Sequence, residues 1–219
     1  MANTDRWKRQ LTDHRSKKVV FLSHCLLNQN TRYLGGACER GATPSVVAEC
    51  LERGWGIVQM QCPEQRAWGG VLKRHLLRYY GSQGTLLDRT RNLVLPILLW
   101  YTRLIYRRLA KQVAREIADY TTSGFEVVGI MGVNGSPSCG TEQTIGFRQS
   151  LQRVVNLTSS ATRHDMNAIV LSSLTPGRGL FIDALQREIK RLGLNVPYLA
   201  FDLPSELREQ PIAPILSDA

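Results

Sequence analysis

Residues 18–25 read KVVFLSHC, a short apolar run rich in β-branched side chains that ends at a cysteine. Such a run, without alternation of polar and apolar positions, predicts a strand buried on both faces, as in parallel sheets. Two later runs have the same character: WGIVQM at 55–60 and FEVVGIMGV at 125–133. Between the first two, Thr43 as N-cap, Pro44 at the first helical position and Val46, Val47, Cys50 and Leu51 at helical spacing predict a helix ended by Gly54.

Strands alternating with helices predict an α/β fold, a Rossmann-like parallel sheet flanked by helices. Further along, NAIVL at 167–171 reads as a strand or a helix end. Leu180 to Leu192 reads as an amphipathic helix closed by Gly193, and Val196 to Phe201 as another strand. The 219 residues suffice for one core, so a single domain over 1–219 is expected, with a helical insert at about 65–123. Leu104, Leu109, Val113 and Ile117 form part of an apolar face in the insert, and Pro96 is expected to kink or interrupt its start. The run from Val94 to Tyr101, bracketed by Arg91 and Arg103, is too short to cross a membrane. It reads as a buried segment, with a surface-lying amphipathic helix as the alternative. The polar, basic N-terminus, flexible over about 1–16, carries neither a signal nor an anchor, which implies a cytoplasmic protein without an integral membrane segment. The tail from Glu209 to Ala219, with two prolines, is expected to wrap the surface.

With 28 Lys and Arg against 18 Asp and Glu, the net charge is +10. Such a chain attracts phosphates, RNA or anionic lipid. Arg103, Arg107, Lys111 and Arg115 recur every four residues along one helix face, a solvated basic face or an anion or RNA surface. One reading of the protein is therefore a basic nucleic-acid-binding protein with a structural cluster or zinc. The chain shows no helix-turn-helix, zinc-finger or aromatic RNA-binding signature to support it.

Five cysteines at wide, irregular spacing do not form a disulfide framework. Cys25, Cys62 and Cys139 each follow a strand candidate, and ligands of parallel sheets bind beyond the carboxyl ends of the strands. The three thiols are therefore expected at one site. Cys50 belongs to the apolar face of its helix; Cys38, in a loop, is a solvent-facing thiol or a fourth ligand. Strand alternation should turn His24 away from the site. Soft thiolates select zinc, copper(I) or iron-sulfur clusters, and the CxxC pairs usual in structural zinc sites are missing. A [4Fe-4S] cluster on three thiolates leaves one iron open to act as a Lewis acid. Gly135 and Gly140 would let backbone N–H groups approach its sulfides.

The segments SHCLLNQNTRYLGG (23–36), CPE (62–64) and GSPSCG (135–140) together resemble the 2-thiouracil desulfidase family. That family's pattern is close to S-x-C-L-L-G-x-x-C-R-Y-D-G, then C-P-E, then S-P-S-C-G. The resemblance implies that Cys25, Cys62 and Cys139 bind the cluster, that Glu64 is catalytic and that Ser136 positions substrate or water. Arg32 and Tyr33 match the family's RY and either contact substrate or brace the loop; Asn28 and Ser138 are further candidates for substrate binding. Glu64 has an alternative role, capping the helix after it. The implied reaction replaces the sulfur of a small thiocarbonyl compound by oxygen and releases hydrogen sulfide. A thiolated nucleotide or RNA as substrate would unite this reading with the basic helix. The chain departs from the pattern at Asn28 in place of glycine, Thr31 in place of the second cysteine and Leu34 in place of aspartate, which suggests another thio-compound as substrate.

Overall fold

The strand predicted from KVVFLS occupies Lys18–Leu22 (β1) and lies inside a parallel sheet between β2 (Gly56–Gln59) and β3 (Glu126–Val133). The computed structural model describes residues 11–80, 89–146 and 161–209, together with Trp7 and Arg153. Two three-residue strands, β4 (Gln143–Ile145) and β5 (Leu174–Pro176), form an antiparallel ribbon. The last strand, β6 (Tyr198–Phe201), pairs in parallel with β3, so the four-stranded sheet has the order β2-β1-β3-β6.

Eight helices of the described residues surround these strands. They are α1 (His24–Leu27), α2 (Pro44–Glu52), α3 (Pro63–Ala67), α4 (Arg74–Tyr80), α5 (Arg91–Thr122), α6 (Arg163–Ser172), α7 (Leu180–Arg191) and α8 (Leu203–Leu207). Alternation along β1 feeds two cores. Val19 and Phe21 pack with Ile130 against the buried stripes of α5 and α7, while Val20 and Leu22 pack with Met131, Val46, Cys50 and Leu203 on the other face. The chain is thus an α/β protein whose parallel sheet is covered on both faces, as parallel sheets require.

The insert is structural. Tyr106, Leu109, Ala110, Val113, Ala114 and Ile117 recur at helical spacing, all buried, and α5 packs along α7 and against α3. Burial of each large aliphatic side chain contributes about 1.5–3 kcal/mol, so this face anchors the helix. Pro96 does not interrupt α5. It sits in the second turn, where only the bond to the carbonyl of residue 92 is forgone. The run from Val94 to Tyr101 is not buried as a block: Leu95 is buried, whereas Ile97, Trp100 and Tyr101 are exposed, because the helical period turns them away from the core. Residues 167–171 belong to α6 and are helical. Part of the expected insert (81–88), the N-terminus up to residue 10 apart from Trp7, and the tail beyond Glu209 lie outside the described residues.

Candidate active site

The order β2-β1-β3 means that the chain leaves β1 toward one side and returns on the other, which opens a crevice at the carboxyl ends of β1 and β3. All three predicted thiols are delivered there. Ser23 follows β1 as the N-cap of α1, and Cys25 sits in the single turn of that helix. Cys62 is the N-cap of α3, with Pro63 at its first position, and its Sγ accepts the Gln65 N–H at 3.4 Å. Cys139 lies in the loop after β3, where its N–H donates to Ser136 Oγ at 3.0 Å and its carbonyl accepts from Val133 N–H at 2.8 Å. This loop is pressed against its surroundings: any side chain at Gly132 would overlap the Cys139 carbonyl oxygen, and one at Gly179 the backbone of Ser138.

Cys25, Cys62 and Cys139 line one pocket of about 70 Å³, together with Arg32, Glu64 and Lys73. All three are free thiols, and burial pushes each of them up. For Cys139 the next causes are Cys25 and Cys62 themselves, which places the three within electrostatic reach of one another. Cys62 is pushed up to about 12, by burial and then by the Glu64 carboxylate. Arg32 acts in the opposite direction on Cys25, favouring its thiolate. Among the described residues, no three His, Cys, Asp or Glu side chains are arranged to hold a single metal ion.

Glu64, in the first turn of α3, is held at both oxygens. Its Oε1 accepts from Ser138 Oγ at 3.0 Å, and its Oε2 lies 2.7 Å from Lys73 Nζ. Ser138 Oγ is also 2.7 Å from Tyr106 Oη. A serine hydroxyl has one proton, so while Ser138 donates to Glu64 it must accept from Tyr106. The hydrogen bonds therefore run in one direction, from Tyr106 on α5 through Ser138 to the carboxylate. Lys73 is buried in a left-handed conformation at φ +52°. Burial is the largest single influence and opposes its charge, but the Glu64 carboxylate together with Cys62 and Cys25 more than offsets it, and the ammonium is held above its ordinary value. The N-cap itself is Cys62, while Glu64 stands in the first turn, where its charge favours the helix N-terminus as the alternative role has it.

Of the remaining expected residues, Ser136 lines the thiol pocket and braces its loop, its Oγ accepting from the N–H of Ser138 at 3.3 Å and of Cys139. Tyr33 donates to Asn167 Oδ1 at 2.9 Å and lines both this pocket and a wider one of about 440 Å³ beside it. The wider cavity shares Arg32, Glu64 and Lys73 with the first and adds an apolar wall that includes Trp68, Leu76 and Met166. Arg32 is buried, with Nη1 bound to Glu206 Oε2 at 2.5 Å and to the Gly36 carbonyl at 3.2 Å. Among the described residues, its Nε and Nη2 are buried without a hydrogen-bond partner. Asn28 lines neither cavity; its side chain accepts from Asn30 N at 3.2 Å and Nδ2 at 2.9 Å.

His24 does not turn away. It lines the thiol pocket, because strand alternation ends at Ser23 and the next residues form a helical turn. Cys38 stands apart from both cavities beside Arg163 Nη2, at 3.5 Å, and Cys50 is wholly buried in the second core. Lys73 and Tyr106 are the site residues that sequence reasoning missed. Tyr106 did carry a signal, a hydroxyl in the middle of an apolar helical stripe; Lys73 carried none.

Trp68 ties the site to the insert. Its Nε1–H donates to Thr102 Oγ1 at 3.0 Å, and its ring lies 6.4 Å from that of Tyr106. Compared with known proteins, the chain matches no family model, and no curated protein or solved structure matches it either.

Proposed function

We propose that this chain is a non-redox desulfidase, in which Cys25, Cys62 and Cys139 hold a [4Fe-4S] cluster on a Rossmann-like sheet. The observation that carries this reading is the arrival of three free thiols at one pocket beside a carboxylate held at both oxygens. The donor set suits the group: three soft thiol ligands line one pocket. So does Arg32. Its Nη1 is paired with Glu206, but its other edge has no acceptor among the described residues and its charge favours the Cys25 thiolate, which suits an anionic thiolate-ligated cluster. When bound, such a cluster supplies an open iron that acts as a Lewis acid toward thiocarbonyl sulfur.

The remaining chemistry belongs to the side chains. The net reaction takes one thiocarbonyl and one water to one carbonyl and one hydrogen sulfide, and no electrons are exchanged. Water must lose both its protons, one as its oxygen bonds to carbon and one as the carbonyl forms, and the sulfur must gain both as the carbon–sulfur bond breaks and hydrogen sulfide leaves. Glu64 takes each proton from the oxygen in turn and delivers it to the sulfur. Ser138 and Lys73 fix the plane of the carboxylate, and Tyr106 fixes the direction of the Ser138 proton. The rest of the substrate occupies the wider cavity, bordered by Tyr33 and Arg32.

The test is anaerobic incubation of cluster-loaded protein with 2-thiouracil and related thioamides in heavy-oxygen water. Product carrying the heavy oxygen, with one hydrogen sulfide per turnover and no added reductant, is expected. Turnover that requires a reductant, or oxygen not drawn from water, contradicts the proposal.

A further inference from the structure

We propose that the outer face of α5 docks the protein on an anionic phospholipid surface. One side of this helix is committed to the core, but the opposite side carries Leu93, Ile97 and Trp100 with 73%, 66% and 66% of their surfaces exposed. These positions are spaced by four and three residues, so they form a single stripe. Leu104, partly exposed, extends it by one turn, and Tyr101 flanks it. Continued along the same line, the helix presents Arg107, Lys111 and Arg115, all exposed, with Arg103 and Arg108 at the margins. One helix face is thus apolar and aromatic over its first half and basic over its second.

That composition selects the occupant. A helix lying in a membrane interface buries aliphatic side chains and an indole at the acyl boundary while its basic residues meet lipid phosphates. The chain's net charge of +10 gives attraction of the same sign. A stable protein interface takes about 20–30 residues a side, and this stripe offers only a handful. RNA would engage the basic half but leave the Leu93 and Ile97 side chains against polyphosphate, which has no use for them. No described helix is long and apolar enough to cross a membrane, so the association is peripheral. The inner side of the same helix segment, Leu95, Leu98 and Leu99, packs in one core cluster with Trp68 and Leu76, which line the wider cavity. The docking face is therefore one helix away from the cavity.

The experiment is co-sedimentation of the full chain with phosphatidylcholine vesicles, with and without phosphatidylglycerol, read alongside tryptophan emission. Binding to the anionic vesicles should exceed binding to the neutral ones at least tenfold. It should weaken strongly in about 1 M salt, where the screening length falls to about 3 Å. The L93Q/I97Q/W100Q variant should bind at least tenfold less while keeping the wild-type far-ultraviolet circular dichroism. The R107Q/K111Q/R115Q variant should lose about fivefold per charge, giving a second readout independent of the apolar one. A blue shift of emission on vesicle binding should be reduced in W100F. Wild-type protein left in solution with anionic vesicles, or an apolar variant that binds as well as wild type, overturns the proposal. So does a salt-sensitive RNA complex, or a dimer abolished by the apolar variant, in the absence of vesicle binding.

Discussion

Replacing Glu64 by Gln changes two separable quantities, because the carboxylate serves both a proposed proton transfer and a buried ion pair. An amide can still accept the Ser138 hydroxyl proton, but it cannot exchange a proton, and loss of a positioned acid/base group costs about 100- to 10,000-fold in rate. On the other side, Lys73 Nζ lies 2.7 Å from Glu64 Oε2, with the two side chains only 7% and 14% exposed. Breaking a buried pair by removing one partner costs about 3–5 kcal/mol, against about 0–1 kcal/mol for a solvated surface pair. Glu64→Gln should therefore lower the denaturant midpoint of the cluster-free protein. The double variant Glu64→Gln/Lys73→Met, which leaves no orphaned charge, should recover most of that loss while remaining inactive. The assays are guanidinium unfolding followed by circular dichroism, and hydrogen sulfide release by loaded protein. A single variant with a wild-type midpoint would refute the buried-pair reasoning. A loaded single variant with the wild-type rate would refute the proton-transfer role.

Cys25→Ser, Cys62→Ser and Cys139→Ser should each bind less iron on anaerobic reconstitution, whereas Cys38→Ser and Cys50→Ser, whose sulfurs lie outside the pocket, should match wild type; iron assays decide. Burial pushes the Cys50 thiol up to about 11, so less thiolate forms at any given pH than at an ordinary cysteine, and the residue should resist alkylation in the folded protein well past its usual pKa. Mass spectrometry with and without denaturant checks this; rapid labelling of Cys50 in the folded state at pH about 8 would contradict it. Tyr106→Phe removes the donor that orders Ser138 while the Ser138 bond to Glu64 stays, at a cost of about 0.5–1.5 kcal/mol by denaturation. It should also reduce sulfide release.

The thiols were legible because each follows a strand that alternation, β-branching and a flanking turn make recognisable, and a parallel sheet carries all such ends to one edge. Arg32 and Tyr33 were also named in advance. Lys73 was not, because its meeting with Glu64 depends on the turn at residues 70–73, which no periodic pattern announces. Tyr106 reaches Ser138 because α5 folds back against β3, whose following loop carries Ser138, a contact between residues 32 apart in sequence. His24 was misplaced by extending alternation two residues beyond the strand. The β4–β5 ribbon was missed because three-residue strands are too short to show a period. The same limit of local reading hid the exposed stripe of α5: an apolar run looks buried until the helix phase is known.

The account's central claim, that three cysteines at one strand edge hold an iron-sulfur cluster with an open iron, is tested most directly by anaerobic reconstitution followed by iron and acid-labile sulfide analysis. About four irons and four sulfides per chain are predicted, with a broad near-visible absorption, all lost together in Cys139→Ser. Stoichiometric zinc without acid-labile sulfide, or full iron loading in Cys139→Ser, would contradict it.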